Sequence, residues 1–205
     1  MKKRIAFVHN AMWEMYNFRG ELLQELKAKG YEITVICPPD EKNAHYFTDL
    51  GIKLLTVPMS RKGTNIKEDL QLVKNLLKVY KKEKFDLVFH YTIKPNIYGT
   101  LAAKLAGIKS IAITTGLGYV FLHNNITSLI AKFMYKFSLA FANEVWFLND
   151  DDMNIFLDKD LITERQAFKL PSEGINTKRF VPKEKNRKDS KTVFLMIARV
   201  LYDKG

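Results

Sequence analysis

The sequence is poor in cysteine, with Cys37 as its single example in 205 residues. An internal disulfide is therefore excluded, and its absence is typical of proteins in a reducing compartment such as the cytoplasm. No apolar stretch approaches the roughly 20 residues that a membrane-spanning helix needs. The apolar run after Lys2-Lys3-Arg4 is also too short for a secretory signal. These absences favour a cytoplasmic location.

Acidic residues are scarce relative to basic ones, at 22 against 33, and the formal net charge is +11. Such an excess indicates an anionic partner, whether a phosphate-bearing ligand, a membrane surface or nucleic acid. The segment Lys178–Lys191 holds seven lysines and arginines and is typical of a solvated linker. Because the sequence has no zinc-ligand spacing, no helix-turn-helix pattern and no basic stretch interleaved with aromatics, no nucleic-acid partner is expected.

The stretch Phe85–Gly118 indicates a β-α-β unit. Two apolar runs, 86–89 and 110–114, flank a helical pattern at 95–106. Apolar runs without alternation are typical of parallel strands that are covered on both faces. The fold class is therefore α/β, a doubly wound parallel sheet of the Rossmann type.

The rest of the chain continues this alternation of strands and helices. A loop at 9–17 is expected between the first strand and a helix at 18–29, whose inward face contains Leu22, Leu23 and Leu26. Further strands are predicted at 4–8, 31–37, 52–57, 144–148 and 167–171, and further helices at 40–50, 66–83, 126–142 and 150–157.

Two of these helices have distinct apolar faces. In helix 66–83, residues Leu70, Val73, Leu76, Leu77 and Tyr80 are expected to point inward. Helix 126–142 has very little polar surface. It is expected to be buried, and the alternative is an interfacial helix that dips into lipid with lysines at its rim.

The chain extends beyond one domain. Residues 1–182 form a complete amino-terminal domain in this interpretation, 183–191 a basic linker, and 192–205 the first strand and loop of a second domain.

Polar residues follow several predicted strands, where an open parallel sheet binds its ligands. The first loop lacks the Gly-x-Gly-x-x-Gly pattern of nicotinamide dinucleotide sites. Lys94-Pro95-Asn96 begins a helix whose first backbone N–H groups are available to an anion. Three aspartates, 150–152, are expected to cap a helix and complement its dipole rather than bind a metal. The candidate ligand-binding residues are His9, Asn10, Arg19, His90, Lys94, Asn96, Thr115, Gly116 and Gly118.

The end of the sequence contains the most specific signal. Arg199 and Lys204 lie five residues apart after a predicted strand and just before a glycine. A guanidinium fork and an ammonium point charge at this spacing suit a diphosphate.

The stretch from Gly174 to Pro182, followed by a strand and by Ala198-Arg199 with Lys204-Gly205, resembles the hinge of the family 4 glycosyltransferases. These are retaining enzymes with the two-domain GT-B fold. Phe18-Arg19, the run from Lys94 to Gly99 and Gly116-Leu117-Gly118 are similar to the branch that acts on lipid-linked precursors of bacterial capsule, O-antigen or protein glycans.

The resemblance implies a transferase that uses a nucleotide sugar, expected to be UDP-linked, and an amino-terminal domain that binds a lipid-linked saccharide. Arg199 and Lys204 match the positions that hold the donor diphosphate and stabilise the departing charge. No cofactor and no metal are expected, and peripheral contact with the inner face of the plasma membrane is compatible with such an acceptor. The 205 residues alone, as the acceptor half, are expected to be inactive.

Two alternatives remain open from the sequence. One is a UDP-sugar 2-epimerase, which shares the GT-B fold. The other is a basic module without catalytic activity that binds at membrane surfaces.

Overall fold

The computed structural model describes residues 2–60, 65–117, 121, 126–182 and 192–197. Within them, seven parallel strands form one sheet in the order β3-β2-β1-β4-β5-β6-β7. The predicted α/β class and the Rossmann-like alternation are confirmed. The strands are β1 (Arg4–Val8), β2 (Glu32–Cys37), β3 (Lys53–Thr56), β4 (Leu87–Tyr91), β5 (Lys109–Thr114), β6 (Glu144–Phe147) and β7 (Ala167–Lys169).

Helices cover both faces of the sheet. Those described are α1 (Met12–Ala28), α2 (Glu41–Asp49), α3 (Ile66–Glu83), a π-helical turn (Pro95–Gly99) that continues into α4 (Thr100–Ala106), α5 (Ile126–Leu139), α6 (Asp150–Asp158) and a short 3-10 helix (Glu164–Gln166). Helices α1 and α2 pack on one face through Met12, Met15, Leu23 and Phe47. The opposite face is covered by Leu72, Leu76, Ala102, Ala103, Tyr135, Leu139 and Phe156.

The first helix begins six residues earlier than predicted. Met12 and Met15 were predicted to lie in a loop, but both belong to α1, are 1% and 0% exposed and pack in the core. Burying two methionines outweighs the weak helix propensity of the neighbouring aromatic residues. The loop after β1 is therefore only three residues long.

The inward faces of α1 and α3 agree with the predicted ones except at one leucine in each helix. Leu22 and Leu70 were expected inside, but both are exposed. In α1 the core contains Leu23, as predicted, and Leu22 points outward because adjacent leucines lie about 100° apart around a helix. In α3 the core contains Leu76 and Tyr80, as predicted, together with Leu72, which was not predicted.

Helix α5 is not buried as predicted. Its inward side is formed by Tyr135, Ser138 and Leu139. The other side exposes a row of large apolar residues, which we call the α5 apolar face: Ile126, Leu129, Ile130, Phe133 and Phe137.

The chain divides into a compact unit, Met1–Glu173, and a second unit, Gly174–Gly205. In the second unit, residues 192–197 were predicted as a strand, but the structure assigns them no regular secondary structure. A strand needs hydrogen-bonded neighbours, and none of the described residues pairs with this segment. The predicted domain boundary at Pro182 stays a prediction.

In the described part of the chain, no helix is both long enough and apolar enough to cross a bilayer.

Candidate functional site

The strand order reverses between β1 and β4, which are neighbours in the sheet although β2 and β3 come between them in the chain. Val8 lies opposite His90 in this parallel pair, so both strands end at the same edge. Ligands of open parallel sheets bind at such a switch point, beyond the carboxyl ends of the strands. We call this edge the carboxyl edge.

His9 leaves β1 at the carboxyl edge with a fixed ring orientation. Its Nδ1 atom accepts a hydrogen bond of 2.9 Å from the backbone N–H of Ala11. The neutral ring must therefore carry its proton on Nε2. That atom lies 3.9 Å from the carboxylate of Glu14. His9 thus presents a donor nitrogen toward an acidic neighbour.

Arg19 lies in the middle of α1, rather than in its first turn as predicted, because the helix begins at Met12. Its buried guanidinium forms an ion pair with Glu173 and lies 4.9 Å from the centre of the Tyr91 ring. Burial raises the pKa of the Tyr91 hydroxyl to about 12, and the charge of Arg19 opposes this shift. An anionic ligand at Arg19 would have to compete with Glu173.

From its predicted place at the end of a strand, His90 was expected to line the crevice. In the structure it is fully buried. As the penultimate residue of β4 its side chain points toward α3 and α4. Its Nε2 atom lies 2.9 Å from the Tyr80 hydroxyl, and its Nδ1 atom 3.3 Å from the Thr100 hydroxyl. Burial lowers the pKa of His90 to about 3, so the ring is neutral at physiological pH. In this position it packs between helices and contacts no solvent.

Lys94 is likewise enclosed rather than free. Its ammonium group lies 2.6 Å from a carboxylate oxygen of Asp69 on α3 and donates a hydrogen bond of 2.7 Å to Ser60. The other oxygen of Asp69 accepts a hydrogen bond of 2.8 Å from the Tyr98 hydroxyl. We call these four residues the Lys94 cluster. It joins the segment after β3, helix α3 and the π-helical turn at the carboxyl edge.

Asn96 also has a structural position. Its side-chain nitrogen donates a hydrogen bond of 3.0 Å to the carbonyl of Ile113, near the end of β5. Burial raises the pKa of the neighbouring Tyr135 hydroxyl, and a hydrogen bond with the Asn96 side chain opposes that shift. Asn96 therefore attaches the π-helical turn to β5 and α5.

Thr115 and Gly116 follow β5 and are exposed at the carboxyl edge. Gly116 has a φ of 140°, which L side chains rarely adopt, and the space where a Cβ would lie is open. A ligand can therefore approach this backbone closely. Gly118, Arg199 and Lys204 lie outside the described residues.

Sequence reasoning missed a pocket at the carboxyl edge, next to Asn10. It has a volume of about 360 Å³ and lies beyond β1, β2 and β3. Of the predicted site residues that the structure describes, Asn10 is the one that lines it. Two signals could have indicated it: Trp13, an aromatic residue within the predicted loop after the first strand, and the Pro38-Pro39 pair directly after the second strand. The lining residues are Asn10, Ala11, Met12, Trp13, Glu14, Pro38, Pro39, Asp40 and Met59.

The three aspartates occupy the first turn of α6, where they complement the helix dipole. The cap is Asn149, whose side-chain oxygen accepts from the backbone N–H of Asp152 at 2.7 Å. Across the described ranges, no group of three or more histidine, cysteine, aspartate or glutamate residues is arranged to hold a metal ion.

Residues 4–149 match the profile of the family described as glycosyl transferase 4-like. The chain belongs to this family. The match covers β1 to β6 and therefore the carboxyl edge, so the predicted family 4 resemblance is confirmed.

Two curated relatives of this glycosyl transferase 4-like chain have related names. It is 32% identical to the N,N'-diacetylbacillosaminyl-diphospho-undecaprenol alpha-1,3-N-acetylgalactosaminyltransferase of Campylobacter jejuni, over 98% of this chain and 57% of the relative. It is 25% identical to the UDP-Gal:alpha-D-GlcNAc-diphosphoundecaprenol alpha-1,3-galactosyltransferase of Escherichia coli, over 85% of this chain and 47% of the relative. The chain spans about half the length of these relatives.

Among solved structures, HepE of Anabaena, crystallised with UDP and glucose, superimposes with a TM-score of 0.63 at 14% identity. The superposition covers 86% of this chain and 46% of HepE. At this identity the likeness concerns the fold alone. It agrees with the amino-terminal half of a GT-B fold.

Proposed function

We propose that this glycosyl transferase 4-like chain is the acceptor-binding half of a retaining glycosyltransferase. The enzyme transfers a sugar from a UDP-sugar to a lipid-linked diphosphate saccharide in the synthesis of a bacterial surface polysaccharide or glycan. The observation that carries the proposal is the match to two relatives, both named as transferases acting on undecaprenyl-diphosphate saccharides, along most of this chain.

The carboxyl edge supports an acceptor site. His9 and Asn10 follow β1, Thr115 and Gly116 follow β5 on the other side of β4, and Gly116 leaves room at the backbone. We assign acceptor contacts to these residues. Three predicted site residues support the site through contacts with other parts of the chain. Arg19 pairs with Glu173, Lys94 pairs with Asp69, and Asn96 donates a hydrogen bond to the carbonyl of Ile113.

We assign the donor diphosphate to Arg199 and Lys204. A guanidinium and an ammonium would stabilise the charge on the departing nucleoside diphosphate, which is electrostatic catalysis. Retention then requires no nucleophile from the protein, because the acceptor attacks on the face from which the leaving group departs.

The test uses a longer protein that continues past Gly205 into the donor-binding region. We expect it to transfer sugar from a UDP-sugar to an undecaprenyl-diphosphate-linked N-acetylated saccharide. Arg199→Ala should lower kcat by about 10²–10³-fold, as the loss of one charge-stabilising donor does. The matched control is Arg165→Ala, which removes an exposed arginine. Equal turnover in both variants would refute the role of Arg199.

The same assay separates the alternatives. Release of a free 2-epimer without any acceptor would identify a UDP-sugar 2-epimerase. Absence of turnover with every UDP-sugar, in a protein that still binds membranes, would favour the non-catalytic membrane module.

The α5 apolar face supports peripheral contact with the membrane that holds the acceptor. Leu129 and Phe133 are 69% and 67% exposed. A contiguous apolar surface of this kind marks an interaction site rather than ordinary scatter. Lys132 and Lys136 lie on the same helix, where their charges would attract anionic lipid headgroups. A lipid-linked acceptor requires the enzyme to work at such a surface.

Phe133→Asp should weaken binding to vesicles of phosphatidylethanolamine with a minority of phosphatidylglycerol by about 10–100-fold. The reason is that burial of one large apolar side chain contributes roughly 1.5–3 kcal/mol. Vesicle flotation measures the change. Leu70→Asp is the matched control, because Leu70 is similarly exposed on α3. If both variants float like the original chain, the α5 apolar face does not contact lipid.

A further inference from the structure

The pocket of about 360 Å³ beyond β1, β2 and β3 has a composition that selects its ligand. Its volume is at the small end of the roughly 300–1,000 Å³ typical of small-molecule sites, which suits one sugar ring. It lies at the carboxyl edge, where Asn10 belongs both to the pocket and to the acceptor site. All its lining residues lie within the compact unit 1–173.

Much of the pocket wall is apolar. Ala11, Met12 and Met59 contribute buried side chains, and Pro38 and Pro39 add two rigid rings. Such a surface accepts a small methyl-bearing group, because methionine fills irregular gaps and adapts to its neighbour.

Trp13 provides an aromatic wall. It is 49% exposed although tryptophan is usually well buried. The ring of Phe18 lies edge-on to it at 6.4 Å, so the indole has a neighbour that restricts its orientation. An exposed but supported indole is suited to packing against the C–H face of a pyranose ring, and its N–H can donate to a hydroxyl.

The polar groups of the pocket are an amide and two carboxylates. The oxygens of Asp40 accept from the backbone N–H and the side chain of Asn43, at 3.3 and 2.6 Å, which fixes the carboxylate at the start of α2. Glu14 lies beside His9. Carboxylate oxygens have several lone pairs, so both groups can accept additional hydrogen bonds from sugar hydroxyls.

The charge of the lining residues favours a sugar over the phosphate groups of the substrates. Among the lining residues that the structure describes there is no lysine, arginine or histidine, although the chain carries a formal charge of +11. The carboxylates of Glu14 and Asp40 both line the pocket, and their like charge repels a phosphate. The diphosphate of the donor or of the acceptor is therefore disfavoured here, and a neutral polyol is favoured.

From these features we propose that the pocket binds an acetamido-sugar ring of the acceptor. Trp13 packs against the ring, the acetamido methyl lies on the apolar wall near Met12 and Met59, and Asn10, Glu14 and Asp40 bind polar groups of the sugar. The proposal rests on the proposed function. The acceptor named for each curated relative carries an N-acetylated sugar, diacetylbacillosamine in one and GlcNAc in the other.

The direct test is saturation-transfer NMR on the 205-residue chain with methyl α-N-acetylglucosaminide. We expect saturation to be strongest on the acetamido methyl, and expect clearly weaker signals from methyl α-glucoside and methyl α-glucosaminide. Trp13→Ala should weaken binding by up to about tenfold, the worth of one aromatic contact. Trp146→Phe, which changes the other tryptophan, is the matched control.

Three outcomes would overturn the proposal. Equal binding of all three glycosides would refute selection of the acetamido group. Equal binding by Trp13→Ala and Trp146→Phe would refute the pocket as the site. No saturation of methyl α-N-acetylglucosaminide at millimolar concentration would refute both the selection of the acetamido group and the pocket as the site. Because Trp13 is half exposed, its replacement should leave folding intact, which circular dichroism can verify.

The longer enzyme distinguishes this proposal from the proposed function. Trp13→Ala should raise the acceptor KM by about tenfold and leave the KM for the UDP-sugar unchanged. Transfer that is unaffected by Trp13→Ala would refute the pocket and leave the transferase standing. Sugar binding without any transfer by the original enzyme would refute the transferase and leave the pocket standing.

Discussion

Asp69→Ala should lower the free energy of unfolding by about 3–5 kcal/mol, the usual cost of leaving one member of a buried ion pair alone. Lys94 and Asp69 are 8% and 6% exposed, so water cannot replace the lost carboxylate. The substitution also removes the acceptor of the Tyr98 hydroxyl. Urea denaturation followed by circular dichroism measures the change.

Two controls make this result specific to the Lys94 cluster. Asp151→Ala removes an exposed aspartate in the first turn of α6 and should change stability by no more than about 1 kcal/mol. The double variant Asp69→Leu with Lys94→Met replaces the pair by apolar side chains and should recover most of the loss. A single variant as stable as Asp151→Ala would show that the pair contributes nothing to folding.

Gly99→Ala should destabilise the fold by about 1–3 kcal/mol or more, because it overpacks a closed part of the core. An added Cβ would lie 2.5 Å from Cδ2 and 2.7 Å from Nε2 of His90. The ring cannot simply move away, since Tyr80 and Thr100 contact its two nitrogens. Thermal unfolding followed by circular dichroism measures the effect.

Gly20→Ala is the matched control for this substitution. Its added Cβ would lie 3.3 Å from a ring carbon of Tyr16, on the same helix, so a displacement of a few tenths of an ångström is enough to accommodate it. Alanine also has a helix propensity about 1 kcal/mol better than glycine, so stability should be unchanged or increased. Adding His90→Ala to Gly99→Ala should recover part of the loss, and failure to do so would place the clash elsewhere.

The positions of the strands follow from the sequence more readily than the orientation of the helices. Uninterrupted apolar runs predict parallel strands, and each described strand of the sheet lies within a residue or two of its predicted place. Helix α5 shows why orientation is harder. It is apolar almost all round, so periodicity cannot decide which side faces the sheet. Packing selects the side with Tyr135, Ser138 and Leu139.

The sequence predicted where in the chain the candidate site lies, but only some of the side chains that face it. The carboxyl ends of the strands were located to within two residues. The direction of His90 depends on the alternation of side chains along β4, where a shift of one residue moves a side chain from one face to the other. The pocket remained hidden since its walls come from three separate segments, 10–14, 38–40 and Met59.

The strand order also has a consequence for how the chain folds. Residues paired between β1 and β2, such as Arg4 and Glu32, are 28 positions apart, whereas Ile5 and Leu87, paired between β1 and β4, are 82 apart. Closing the longer loop costs about 1 kcal/mol more in chain entropy. During synthesis β1 can therefore pair with β2 early, while its other edge stays open until β4 has emerged. The pairing at the centre of the finished sheet therefore joins the most distant parts of the chain of any strand pair described.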